Sequence, residues 1–160
     1  MSDNFLAEYD ETDRSPMAEA LLVNSTLTAL HVCNSGLFAT ELRKWGDALR
    51  RNANSALTEL GCAGNSFEYA DGCEAIGNLV GNSALKTLDI SFAHFHTGGF
   101  KTILRSLVTS ALTRLVLIGA DFDNEYDDED IVLAWRWYGR SDRPVDGLIL
   151  NGSLHNCSYV

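Results

Sequence analysis

The chain reads as an α/β solenoid of about four to five repeats, with a curved parallel sheet on the concave side and helices on the convex side. Three observations predict this. First, Leu recurs at positions 27, 57, 85 and 112, with Val145 in the fifth place, in steps of 30, 28, 27 and 33 residues. A nearly fixed period in this range marks a stacked repeat architecture. Second, each copy continues with an aliphatic residue three places on and an apolar residue two further, as in Leu85-x-x-Leu88-x-Ile90. The inner pair alternates at period two, which suits a strand with one buried face. Third, the stretch after each copy spaces its apolar residues by three and four, as one face of a helix does. No single unit of this kind covers its own apolar side, so the units must stack.

The elements follow in order. Residues 1–14 are polar and acidic, with Glu8, Asp10, Glu11 and Asp13 close together, and form a solvated segment. Residues 15–160 form the repeat domain. Ser15-Pro16 reads as an N-cap followed by Pro in the first helical position. Met17, Ala20, Leu21 and Leu22 give that helix its apolar side, and Asn24 stops it. The first full repeat has a strand near 28–33 and a helix near 38–52 that turns Leu42, Trp45 and Leu49 inward. The second has a strand near 58–63. Asp71-Gly72 precedes its helix, near 72–81, which buries Ile76, Leu79 and Val80. The third has a strand near 86–91, Thr97 as N-cap, and a helix burying Phe100, Ile103, Leu104, Leu107 and Val108. The fourth strand lies near 113–118. The acidic insertion Asp121–Asp130 follows, then a helix from Ile131 to Tyr138 and a fifth strand near 146–151.

A second echo runs through the chain. Phe5-x-x-Glu8-Tyr9-Asp10-Glu11-x-Asp13 matches Phe122-x-x-Glu125-Tyr126-Asp127-Asp128-x-Asp130. It predicts that the chain starts and stops partway through a repeat. Neither end carries an obvious cap, which points to a piece of a longer array or a very small free-standing one.

The repeats resemble the leucine-rich repeat family. Their period and their helical return are similar to the ribonuclease-inhibitor type, over roughly residues 15–155. The resemblance implies a right-handed solenoid and a role in protein recognition. In that family an Asn or Cys ties down the turn after each strand. Here Asn65 holds the position, while Ser35, Ala93, Ala120 and Ser153 stand in the other repeats. Ser can hydrogen-bond backbone groups there and Ala cannot.

Composition bounds the function. Twelve Lys and Arg face 22 Asp and Glu, a formal net charge of -10. This disfavours nucleic acid and anionic membranes as partners and would steer a basic protein partner toward the chain. No apolar run approaches bilayer length, and the N-terminus lacks the layout of a secretory signal. Cys33, Cys62, Cys73 and Cys157 have no zinc-binding spacing and read as reduced thiols, so the expected compartment is cytoplasmic.

The open face of the sheet is the expected binding surface. Its central row is His31, Gly61, Asp89, Val116 and Ile149. Ala29, Glu59, Thr87, Arg114 and Gly147 flank it on one side, and Cys33, Ala63, Ser91, Ile118 and Asn151 on the other. Val116, Ile118 and Ile149 form an exposed apolar patch, and such patches mark partner surfaces. The residues expected to bind a protein partner are therefore His31, Glu59, Asp89, Arg114, Val116, Ile118 and Ile149.

Other chemistries are weaker. Asp121, Asp123 and Glu125 have the opening spacing of a calcium loop, but Tyr126 and Val132 stand where Gly and Glu are required. His94-x-His96 needs a third ligand to hold a metal. His155 and Cys157 have no third group to orient them. The chain is thus expected to carry no cofactor and no catalytic site. Two alternatives stay open: a regulatory repeat region of a GTPase-activating or nucleotide-binding immune-receptor-like protein, and a metal-dependent enzyme at His94 and His96.

Overall fold

The computed structural model describes residues 14–67, 70–82, 84–95, 99–122 and 148–151, with backbone only at 82, 121, 122 and 148–151. Four helices lie among them: α1 (Pro16–Val23), α2 (Ala39–Arg51), α3 (Ala70–Asn82) and α4 (Gly99–Thr109). The strands are β1 (Ala29–His31), β2 (Glu59–Gly61), β3 (Thr87–Asp89), β4 (His94–Phe95), β5 (Arg114–Ile118), β6 (Asp121–Phe122) and β7 (Leu148–Asn151).

The main sheet is parallel, in the order β1-β2-β3-β5-β7. Its register places Leu30, Leu60, Leu88, Leu115 and Leu148 side by side, as the sequence period requires. One carbonyl per turn joins successive units. Thr28 O accepts N–H groups from Thr58 and Glu59, Thr58 O those from Lys86 and Thr87, and Lys86 O those from Thr113 and Arg114. Consecutive helices pack in sequence, α1 on α2, α2 on α3 and α3 on α4. One apolar core lies between the two layers. These residues form a mixed α/β architecture with a small parallel sheet.

Local chemistry explains the helix ends. Ser15 caps α1, its Oγ accepting the Ala18 N–H at 3.1 Å and donating to Glu41 at 2.6 Å. Asn24 ends that helix, and its Oδ1 accepts the N–H of Leu27 at 2.7 Å. Of the expected apolar side of α1, Leu21 is buried and Met17 and Leu22 are half-buried, but Ala20 is exposed. α3 begins before Gly72 rather than after it. A Cβ at 72 would stand 2.9 Å from the Phe67 Cα, so this glycine permits close packing inside the first turn and does not break the helix.

Two features were not foreseen. A second, two-stranded sheet pairs β4 with β6 in parallel, and Phe67 bridges to Phe95. Leu37, Phe67 and Phe95 occupy the same repeat position and are all buried. The other feature is a left-handed residue at one turn position of every described unit: Asn34 (φ 50), Gly64 (φ 69), Phe92 (φ 56) and Gly119 (φ 62). Gly adopts this conformation freely and Asn tolerates it. For Phe it costs about 1–2 kcal/mol.

Asn65 performs the expected turn-fastening role. Its Nδ2 donates to Val32 O and Cys62 O, both at 2.8 Å. Its Oδ1 accepts the N–H groups of Ser35 at 3.2 Å and Leu37 at 3.0 Å. Ser35 Oγ donates to Val32 O at 2.8 Å, the weaker substitute its hydroxyl allows. Where Ala93 stands in the third unit, Ser91 Oγ accepts the Ile118 N–H at 3.1 Å.

The core thins at β1. Leu57, Leu60, Leu85, Leu88, Leu112 and Leu115 are buried, whereas Leu27 and Leu30 remain half-exposed. Among the described residues each inner leucine has a strand on both sides, and Leu30 has one only on the β2 side. The acidic segment 1–13, the insertion from Asp123 to Asp130, the helix expected over 131–138 and the C-terminal residues His155 and Cys157 lie outside the described residues.

Candidate functional site

The open face is built by alternation along the strands. Each central leucine points to the helices, so its neighbours point the other way. The pairing places His31, Gly61, Asp89, Val116 and Ile149 in one row, and Ala29, Glu59, Thr87 and Arg114 in the next.

Two of the expected residues meet directly. His31 Nε2 lies 3.2 Å from Glu59 Oε1, and both side chains are about half exposed. Gly61 makes this possible, because a Cβ there would overlap the His31 imidazole. The ring passes Gly61 on its way to Glu59, an ion pair whenever it is protonated. Solvent screening keeps such a pair weak. Asp89 turns back toward its own strand, its Oδ1 accepting the Ser91 N–H at 2.9 Å. It remains half-exposed, and Arg114 is exposed at the start of β5.

The apolar patch differs from expectation. Val116 is only 8% exposed and belongs with the buried residues. It sits between the neighbouring strands β3 and β7, in register with Asp89 and Ile149, inside the sheet rather than at its edge. Ile118 is 37% exposed. Ile149 takes its expected register position, and its side chain lies outside the described residues. Ser91, placed in the third open row, is buried and engaged with Ile118 N.

Sequence reasoning missed Phe92. It is 61% exposed and follows directly after the β3 edge of the face. An edge of its ring approaches Gly119, where a Cβ would stand 2.6 Å from two ring carbons. The signal was present: aligned by period, the position reads Asn34, Gly64, Phe92 and Gly119, and Phe is the residue that does not belong there.

The thiols divide by burial. Cys62 and Cys73 are buried and Cys33 is exposed. Burial pushes the Cys62 thiol far up, with smaller contributions from Cys33 and Asp89. His94 is exposed on β4 beside Asp121 of β6, while His96 lies outside the described residues. Among the described residues no three His, Cys, Asp or Glu side chains are grouped to hold a metal. The metal-enzyme alternative gains no support here, nor does the regulatory one. No helix among the described residues is long and apolar enough to cross a membrane.

No family model matches this chain, and no curated protein matches its sequence. Solved structures do match. A tropomodulin C-terminal domain from Caenorhabditis elegans aligns with TM-score 0.61 and 12% identity, over 88% of this chain and 84% of that one. Leiomodin-1 actin-binding site 2 aligns with TM-score 0.54 and 15% identity, over 83% of this chain and 91% of that one. These findings correct the family inferred from the repeats: the similar structures are tropomodulin and leiomodin domains, not ribonuclease-inhibitor-like proteins. The aliphatic period reports how strands and helices stack, and that demand is common to more than one family. The chain is thus an α/β domain whose fold is similar to that of a tropomodulin C-terminal domain.

Proposed function

We propose that this chain is a protein-recognition domain, binding rather than catalytic, and that its partner is actin. The observation that carries the reading is the open sheet face. His31, Glu59, Asp89 and Arg114 offer both signs of charge within four adjacent strands, and exposed Ile118 adds an apolar end. Mixed polar contacts around an apolar anchor are the usual make-up of such surfaces. The choice of actin is supported by the fold it shares with a domain described as an actin-binding site.

In this reading the units wind as a solenoid and present one continuous face. The net charge of -10 favours contact with a basic part of the partner surface, so binding weakens as salt rises. Co-sedimentation with actin filaments, and fluorescence titration of labelled monomeric actin, test the proposal. Saturable binding in either assay supports it. Absence of binding in both, at low salt and at protein concentrations of about 50 μM, where even weak complexes form, overturns it.

A further inference from the structure

Among the described residues two phenylalanines are largely exposed, Phe38 at 58% and Phe92 at 61%, and their backbones differ. Phe38 has φ -94, an ordinary extended conformation before α2. Phe92 has φ 56, in the left-handed region that the same turn position fills with Asn or Gly in the other described units. The strain in Phe92 has no compensation in burial, since most of the side chain meets water. A bulky residue held in a costly conformation where a glycine would serve folding better points to a use outside the fold.

The surroundings indicate that use. One edge of the Phe92 ring stands against Gly119, where the backbone carries no side chain. The glycine leaves room for the ring without burying it. Ile118, the residue before that glycine, is itself part-exposed. Phe92 N–H donates to Ile118 O at 2.8 Å, and the Ile118 N–H is held by Ser91 Oγ. The two apolar side chains therefore ride on one hydrogen-bonded scaffold at the carboxyl end of β3 and β5. That scaffold is continuous with the face that holds Asp89 and Arg114. Aromatic side chains are enriched at interfaces and among the residues that dominate binding.

We propose that Phe92 is the anchor of the partner interface, inserting with Ile118 into an apolar cleft on actin. This rests on the recognition role proposed above and deepens it by naming the residue that dominates affinity. It makes the strained turn a recognition device rather than a fold requirement.

The test compares the wild-type chain with Phe92→Asn, Phe92→Gly and Phe38→Ala in actin co-sedimentation and in thermal unfolding. Both Phe92 variants tolerate the left-handed turn. The expected result is that at least one of them melts within about 3 °C of wild type and binds actin at least tenfold more weakly, while Phe38→Ala binds as wild type does. A folded Phe92 variant that binds within twofold of wild type overturns the anchor while leaving actin binding in place. So does a loss of more than about 10 °C in melting temperature in both Phe92 variants, because the ring would then serve folding. If the wild-type chain itself does not bind actin, the actin reading falls and the anchor falls with it.

Discussion

The Asn65 carboxamide reaches back one unit to hold Leu37, accepting its backbone N–H at 3.0 Å. The same side chain donates to Val32 O and Cys62 O. It thus joins the turns of two successive units from a buried position. Asn65→Ala leaves several of these buried groups without partners, at an expected cost of about 2–4 kcal/mol. Asn65→Asp turns a donor into a buried charge facing two carbonyls and is worse. Urea unfolding, read as a lower midpoint with an unchanged slope, checks this.

Gly119 has φ 62 and lies against an edge of the Phe92 ring. Gly119→Ala meets both obstacles, a disfavoured backbone and an occupied space. The expected destabilisation is about 1–2 kcal/mol. In the Phe92→Asn background the same change costs less, because the ring no longer obstructs the methyl. A double-mutant cycle measured by thermal unfolding reports the difference.

Burial separates the cysteines chemically. Cys62 is buried with its thiol pushed far up, chiefly by desolvation. It stays protonated in the native state at pH values where an unfolded chain ionises. Stability is therefore lost as pH climbs through and beyond the ordinary thiol range. At neutral pH a thiol reagent modifies Cys33 in the native chain and spares Cys62 and Cys73. Mass spectrometry of native and denatured digests reads the pattern.

Val116 and Ile118 respond differently to the same substitution. Val116 is nearly buried and in register with Asp89. Val116→Asp places a poorly solvated carboxylate beside a like charge, for an expected loss of about 2–4 kcal/mol. Ile118→Asp, at an exposed strand end, changes stability by less than about 1 kcal/mol. Circular dichroism melts distinguish the two, and only Ile118→Asp is a clean probe of binding.

Much of this was legible in the chain itself. The spacing of Leu30, Leu60, Leu88 and Leu115 set the strand order and register, because each must lie over the next to bury its side chain. Ser15-Pro16 marked α1 through local capping chemistry. Gly72 misled, because a glycine needed for close approach to Phe67 looks in sequence like one that precedes a helix. Val116 misled too. Alternation tells which face a residue takes, not how far neighbouring strands screen it. Phe92 escaped notice because aromatic residues are usually read as core, and its positive φ shows only against the Asn and Gly of neighbouring turns. The family was beyond the period to decide, since stacking alone generates that pattern.

Actin co-sedimentation of wild type beside an Ile118→Asp, Arg114→Glu double variant tests the central claim most directly. Open-face recognition predicts saturable binding by wild type and at least a tenfold loss in the folded double variant. Equal binding by the two, or none by wild type, contradicts it.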